Sequence, residues 1–193
     1  MLLDDLRRAV DPLPPDGAAV PPEVSAAVLL LVDPTDPGLP LLFIRRTRRV
    51  STHRGQVAFP GGGVEPTDPG VVDAALREAR EEMAIPPEAV EPLGLLPMVW
   101  TRGSERSLTP VVGLQRTDVV PLADGYEVAT WFRVPIAELL EAPLTSRVIP
   151  GMEERPPVHF YEARGQVIWG ATAAVLHELL CRLRALREGV AQR

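Results

Sequence analysis

Lysine is missing from this chain: all 20 of its Lys+Arg residues are arginines. A Walker-A phosphate loop needs its lysine, and Schiff-base or pyridoxal chemistry needs a lysine amine, so neither can be built here. Cysteine is nearly as scarce. Cys181 stands alone, so it can form neither an internal disulfide nor a thiolate zinc site, which suits a reducing, cytoplasmic setting. Long apolar runs are absent too. The longest, Ala26 to Val32, falls far short of the roughly 20 residues of a membrane span, so no membrane partner is expected. The N-terminal MLLDDLRRAVDPLPPDG has acids where a signal peptide has bases, and no targeting segment is read there. Positive charge is also in deficit, with 26 acids and a net charge of -6, which disfavours nucleic acid as the main partner.

What is present describes an ordinary globular chain. Its 193 residues are 46% hydrophobic and 24% charged. A chain of this length can bury roughly 70% of its unfolded surface, enough for one domain over 1–193 with a Pro-rich lead-in at 1–22. The 22 prolines predict many rigid connections. A second copy of the chain is a candidate partner, because dimers are frequent among soluble proteins.

The pattern predicts a short helix over 1–10, a strand over Val24 to Val32, a turn at 33–38 and a partner strand over Leu41 to Arg45, read together as a hairpin. A basic stretch leads to a short strand at Gln56 to Phe59 and then to Gly61-Gly62-Gly63. From about Pro69 to Ala84 the periodicity is helical, with Val72, Leu76, Ala79 and Met83 as the apolar stripe, ended by Pro86-Pro87. Strands are expected at 93–101, 107–116, 126–134, 158–163 and 166–168. A short helix is expected at 136–141, and a last one at about 171–186 with Val175, Leu176, Leu179, Leu180, Leu183 and Leu186 on its core side. Strands between two substantial helices predict an α/β fold, a mixed sheet clamped between helices.

The informative segment runs from Gly61 to Ile85. On a helix, Glu78, Glu81 and Glu82 lie at i, i+3 and i+4, within an arc of about 100°. Carboxylates that close repel one another, and a divalent cation removes the repulsion; hard oxygen donors select Mg²⁺ or Mn²⁺. The alternative is a solvated helix face neutralised by Arg77 and Arg80. The glycine run before the helix offers backbone that can approach phosphate or lend a carbonyl to a metal.

The string Arg77-Glu78-Ala79-Arg80-Glu81-Glu82-Met83-Ala84-Ile85 resembles the Nudix box of pyrophosphate hydrolases, R-E-U-x-E-E-x-G-U with U aliphatic. It departs at Ala84, where the family has glycine, and at Pro69, where the family has a glutamate eight positions before the arginine; the nearest acids are Asp68 and Glu65. Upstream, His53-x-Gly55-Gln56-Val57-Ala58-Phe59-Pro60-Gly61-Gly62 is similar to the signature of coenzyme A pyrophosphatases, a Nudix subfamily, with Ser51 where that subfamily usually has arginine. Together the matching stretches cover about residues 41 to 85. The resemblance implies a Nudix-type α/β/α sandwich and Mg²⁺- or Mn²⁺-dependent hydrolysis of coenzyme A to 3′,5′-ADP and 4′-phosphopantetheine. It implies Glu78, Glu81 and Glu82 as metal ligands and Arg77 as their orienting partner. The general base stays open between Glu78 and an acid outside the box such as Glu127; Glu127 and Glu105 are candidates for the extra acid that many Nudix enzymes supply from outside the box, with ordinary surface charge the favoured reading for either one singly. Hydrolysis of ADP-ribose, NADH or another nucleoside diphosphate derivative is the alternative, and a non-catalytic binding domain is a second.

Arg45, Arg46, Arg48, Arg49 and Arg54 place five cations within ten residues. Guanidinium forks suit a multi-phosphate ligand, so Arg45, Arg46, Arg49, His53, Arg54, Gly61 and Gly62 are candidate substrate contacts; nonspecific electrostatics or a basic surface for nucleic acid is the other reading. His177-Glu178-Leu179-Leu180-Cys181 starts like the zinc-protease pattern but has Cys181 in place of the second histidine, and is set aside. Cys181 is expected as a small buried hydrophobe and His159 as a structural residue.

Overall fold

The computed structural model describes residues 1–13, 24–49, 54–101, 107–150 and 157–191. In chain order these form α1 (Leu2–Ala9), β1 (Val24–Val32), β2 (Pro40–Arg46), β3 (Val57–Ala58), β4 (Gly61–Gly63), α2 (Val71–Met83), β5 (Val90–Leu95), β6 (Val99–Trp100), β7 (Ser107–Gln115), β8 (Val128–Pro135), α3 (Ile136–Glu141), β9 (Leu144–Arg147), β10 (Val158–Ala163), β11 (Gln166–Trp169) and α4 (Gly170–Ala191), with a 3-10 turn at Pro87–Ala89. No helix among the described residues is long and apolar enough to cross a membrane.

β1 is apolar at every position but Ser25 because both of its faces are covered. Side chains alternate along a strand, so Val28, Leu30 and Val32 enter one core while Ala27, Leu29 and Leu31 enter the other. The first core holds residues of α1 and α3, Tyr161 and Ala163 of β10, Ile168 of β11, and Val175, Leu176, Leu179, Leu180 and Leu183 of α4. The second is made with Val71, Ala74, Ala75, Ala79 and Met83 of α2. The result is an α/β/α sandwich around a mixed sheet, in which β1 and β7 run parallel and the other pairings are antiparallel. Each fully buried Leu contributes about 1.5–3 kcal/mol.

The expected hairpin forms only at its base. β1 and β2 pair at Val32 and Leu41, then diverge. The gap is filled by later chain: β3 pairs with β2 through Ile44–Ala58 and Arg45–Val57, and β4 pairs with β1 through Ala26–Gly63, Ala27–Gly62 and Val28–Gly61. The glycine segment is therefore strand, wedged into the sheet. Gly61 has φ 149°, and a Cβ there would stand 2.3 Å from the Ala27 carbonyl oxygen, so only glycine fits.

Other expectations change in detail. The buried stripe of α2 is Val71, Ala74, Ala75, Ala79, Glu82 and Met83; Val72 and Leu76 lie on its flank, because small alanines let the helix approach the sheet closely. The strand expected at 93–101 begins at Val90 and breaks at 96–98 into β5 and β6. β9 was not expected at all. Cys181 is exposed, not buried: the turn of α4 that buries Leu179, Leu180 and Leu183 rotates position 181 outward. His159 is partnered, bonding Ser146 Oγ at 2.9 Å and stacking on His177 with centroids 3.9 Å apart.

Candidate active site

α2 begins after the extended Gly70 and ends at Ala84, whose φ of 52° and ψ of 30° put a non-glycine residue in the left-handed region. The Ala84 N–H donates to the Arg80 carbonyl at 2.9 Å and the Ile85 N–H to the Ala79 carbonyl at 3.4 Å, so the Ala84 departure keeps the helix stop and adds strain. The last carbonyls of α2 fix a neighbouring loop: Met83 accepts the Leu122 N–H at 2.9 Å and Glu82 accepts the Asp124 N–H at 3.0 Å. Asp124 Oδ1 in turn accepts the N–H groups of Tyr126, Glu127 and Val128. The Thr47 N–H closes the ring by donating to the Glu127 carbonyl at 2.7 Å. Glu127, expected only as an acid from outside the box, is thus tied to both α2 and the end of β2.

Arg77 organises the exposed side of the helix. Its Nε and Nη2 donate to the two oxygens of Asp68 at 3.0 and 3.1 Å, Nη2 also to the Gly63 carbonyl at 2.8 Å, and Nη1 to Glu78 at 3.0 Å and Glu81 at 3.2 Å. Glu65 lies 3.9 Å away. Asp68, one place before the position where the family pattern has glutamate, supplies the bidentate partner, and Arg77 holds its carboxyl below the usual carboxylate range. An open groove of about 410 Å³ beside these residues is lined by Asp73, Leu76, Arg77, Arg80, Glu81 and Pro87.

The three box acids do not share one environment. Glu81 is exposed and turned to Arg77. Glu78 is half-buried against Gly62, where an added Cβ would lie 2.6 Å from its carboxylate, and burial raises its pKa against the opposing pull of Arg77. Glu82 is 4% exposed, and burial pushes its pKa up to about 7. The Gly61 N–H, donating to Oε2 at 3.0 Å, and Arg46 oppose that rise, while Glu78 and Glu127 add to it. Among the described residues no three acids already stand as a metal cage. The donor set nevertheless fits a hard divalent cation: all its side-chain donors are oxygen, and two of its carboxyls are ones whose ionised form lacks sufficient stabilisation without added positive charge.

The arginine block is divided by strand alternation. Arg45 turns away from α2 and bonds Gln166 of β11. Arg46 turns toward α2, with Nη2 on Glu127 Oε2 at 3.0 Å and Nη1 on Glu82 Oε1 at 3.5 Å. Arg48, Arg49 and Arg54 are exposed, and the Arg49 N–H donates to Thr47 Oγ1 at 3.3 Å. The five cations do not make one patch, which sequence proximity had suggested; a β-strand sends neighbours to opposite faces. His53, Ser51 and Glu105 lie outside the described residues.

A family model described as the NUDIX domain matches residues 21–153. The chain is similar to a protein from Enterobacter sp. described as an uncharacterized Nudix hydrolase, NudL, with 41% identity over 165 residues and 82% of each chain covered. A protein of the same description from Pectobacterium atrosepticum is 40% identical over 179 residues, covering 89% of this chain and 88% of its own. Among solved structures, the MutT protein of Methanosarcina mazei superposes with a TM-score of 0.53 at 19% identity, over 85% of this chain and 94% of that one, which bears on the fold alone.

Proposed function

The chain belongs to the NUDIX family of hydrolases, enzymes that cleave diphosphate compounds, and from that premise we propose that its substrate is coenzyme A or a derivative, cleaved to 3′,5′-ADP and 4′-phosphopantetheine. The observation that carries this reading is the continuity of residues 41–82. The segment resembling the coenzyme A pyrophosphatase signature runs through β2 and β3 straight into β4, whose Gly61 N–H meets Glu82 of the box at 3.0 Å.

Glu78, Glu81 and Glu82 are the residues that would hold Mg²⁺ or Mn²⁺. When bound, the ion supplies charge neutralisation of the diphosphate and acidifies a water. The protein's own task is positioning, because in-line displacement at phosphorus has little covalent chemistry for side chains to perform. Arg77 keeps Glu78 and Glu81 oriented through one nitrogen while Asp68 fixes its other edge. Gly61 and Gly62, free of side chains, let a phosphate approach the backbone closely. Glu78 and Glu127 are the two carboxylates proposed to take the water's proton. Arg45, Arg49, Arg54 and His53 are proposed substrate contacts around the adenosine 3′-phosphate.

One observation favours the broader reading, a hydrolase of ADP-ribose or another nucleoside diphosphate derivative: with Arg45 on Gln166 and Arg46 on acids, fewer cations remain for a third phosphate. Turnover with Mg²⁺ on coenzyme A, 3′-dephospho-coenzyme A, ADP-ribose, NADH and capped RNA separates the readings. Coenzyme A should be cleaved much faster than the rest; equal rates on the first three would defeat the assignment.

A further inference from the structure

Two arginines meet the acids of this site, and they do so differently. Arg77 engages Asp68 as a closed fork, at 3.0 and 3.1 Å through Nε and Nη2. Arg46 makes no such fork. Its side chain is 18% exposed, its Nη2 is well bonded to Glu127 at 3.0 Å, its contact with Glu82 is long at 3.5 Å, and its buried Nε has no partner among the described residues. A guanidinium with an unused buried donor and one stretched contact is held between two acids without being matched to either.

Its placement is specific. The β2–β8 ladder slips at Arg45/Arg46, the kind of irregularity that re-aims a side chain beside a functional site. Glu82 has one oxygen taken by the Gly61 N–H, and the other faces Arg46. Any cation that takes up Glu82 at that second oxygen competes with Arg46 for it. Glu127, anchored through Asp124 and Thr47, stays beside Arg46 when that competition is lost.

We infer that Arg46 is a built-in counter-cation: it bridges Glu82 and Glu127 in the metal-free protein, and yields Glu82 when the metal binds, freeing Nη1 for the substrate's diphosphate while Nη2 stays on Glu127. The inference rests on the metal reading above and deepens it. Arg46 is then a positioning residue before substrate arrives and a substrate contact afterwards, which explains why a cation destined for phosphate points at acids.

Mn²⁺ binding, read by electron paramagnetic resonance without substrate, tests this. Arg46→Gln should bind Mn²⁺ about fivefold more tightly than wild type, the worth of a partly exposed ion pair removed from competition. The same variant should show a raised KM for coenzyme A with kcat changed less. Equal or weaker Mn²⁺ binding by a natively folded Arg46→Gln overturns the inference, as does absence of Mn²⁺ binding to either protein. If that variant does not fold, a crystal structure of wild type with Mn²⁺ decides: Arg46 should have left Glu82, and a contact retained at 3.5 Å would refute the exchange. Equal turnover of coenzyme A and ADP-ribose would remove the substrate assignment alone, since the Mn²⁺ readout involves no substrate.

Discussion

Replacing Glu82 with Gln should stabilise the metal-free protein while abolishing hydrolysis. A carboxyl carried from its ordinary 4.5 to about 7 is favoured in its protonated form by the fold. Holding it ionised above that pH costs about 3 kcal/mol. The associated stability is fully present below pH 4.5 and is lost as pH rises through 7, where the folded chain can no longer keep the proton. Gln carries no such charge, and its carbonyl can still accept the Gly61 N–H. The pull of Arg46 is already contained in that figure; allowing about 1 kcal/mol for the poorer fit of the amide in this buried setting leaves a net gain of about 2 kcal/mol at pH 8.5. For a chain of this size that is about 4–8 °C in Tm. Thermal unfolding with chelator, followed from pH 4.5 to 8.5, should show the variant's advantage growing across the range, and saturating Mn²⁺ should narrow it by stabilising wild type. A variant no more stable than wild type at pH 8.5 would refute the electrostatic argument, and one that still hydrolyses substrate would refute the role of Glu82.

Asp68→Asn should cost about 2 kcal/mol by weakening the charged fork on Arg77, and should lower kcat about tenfold or more as Glu78 and Glu81 lose their fixed neighbour; chemical denaturation and initial rates measure the two effects. Because Arg77 depresses the Asp68 pKa, wild type should lose this contribution as pH falls through the acid range, and the variant should not. Ala84→Gly should relieve the left-handed C-cap and raise stability by about 1 kcal/mol, or about 2–4 °C in Tm, with no change in rate.

Elements whose pattern reflects their own burial were readable in the sequence. β1, α3 and β10 fall at their expected positions because apolar content and proline punctuation mark them directly. β9 could not be read: all four of its residues are exposed, and it is a strand only because β10 pairs with it. The opening of the β1–β2 hairpin leaves no local signal for a related reason, since the segment that opens it lies later in the chain and has too few side chains to show a pattern. In the site, the box helix and the link between Arg77 and Glu81 were visible as spacing. The Arg77–Asp68 fork was hidden by the shifted start of the box, and the splitting of Arg45 from Arg46 by reading a strand as a linear charge run. The seat of Glu127 is made of backbone bonds from the end of α2 and from Thr47, which no local pattern records.

The wedge of β3 and β4 between β1 and β2 has a consequence for how such a protein can change. The chain leaves the sheet after Arg46 and rejoins it at Val57, two points locked by neighbouring strands. Gly61 and Glu82 are held in register on the inner side of that lock. The ends of the intervening segment belong to the lock as well, since the Thr47 N–H donates to the Glu127 carbonyl at 2.7 Å and the Arg46 N–H to the Gln56 carbonyl at 3.0 Å. Those bonds mark where a graft must stop: an exchange confined to residues between Thr47 and Gln56 is expected to alter substrate preference while leaving the box acids and Glu127 seated.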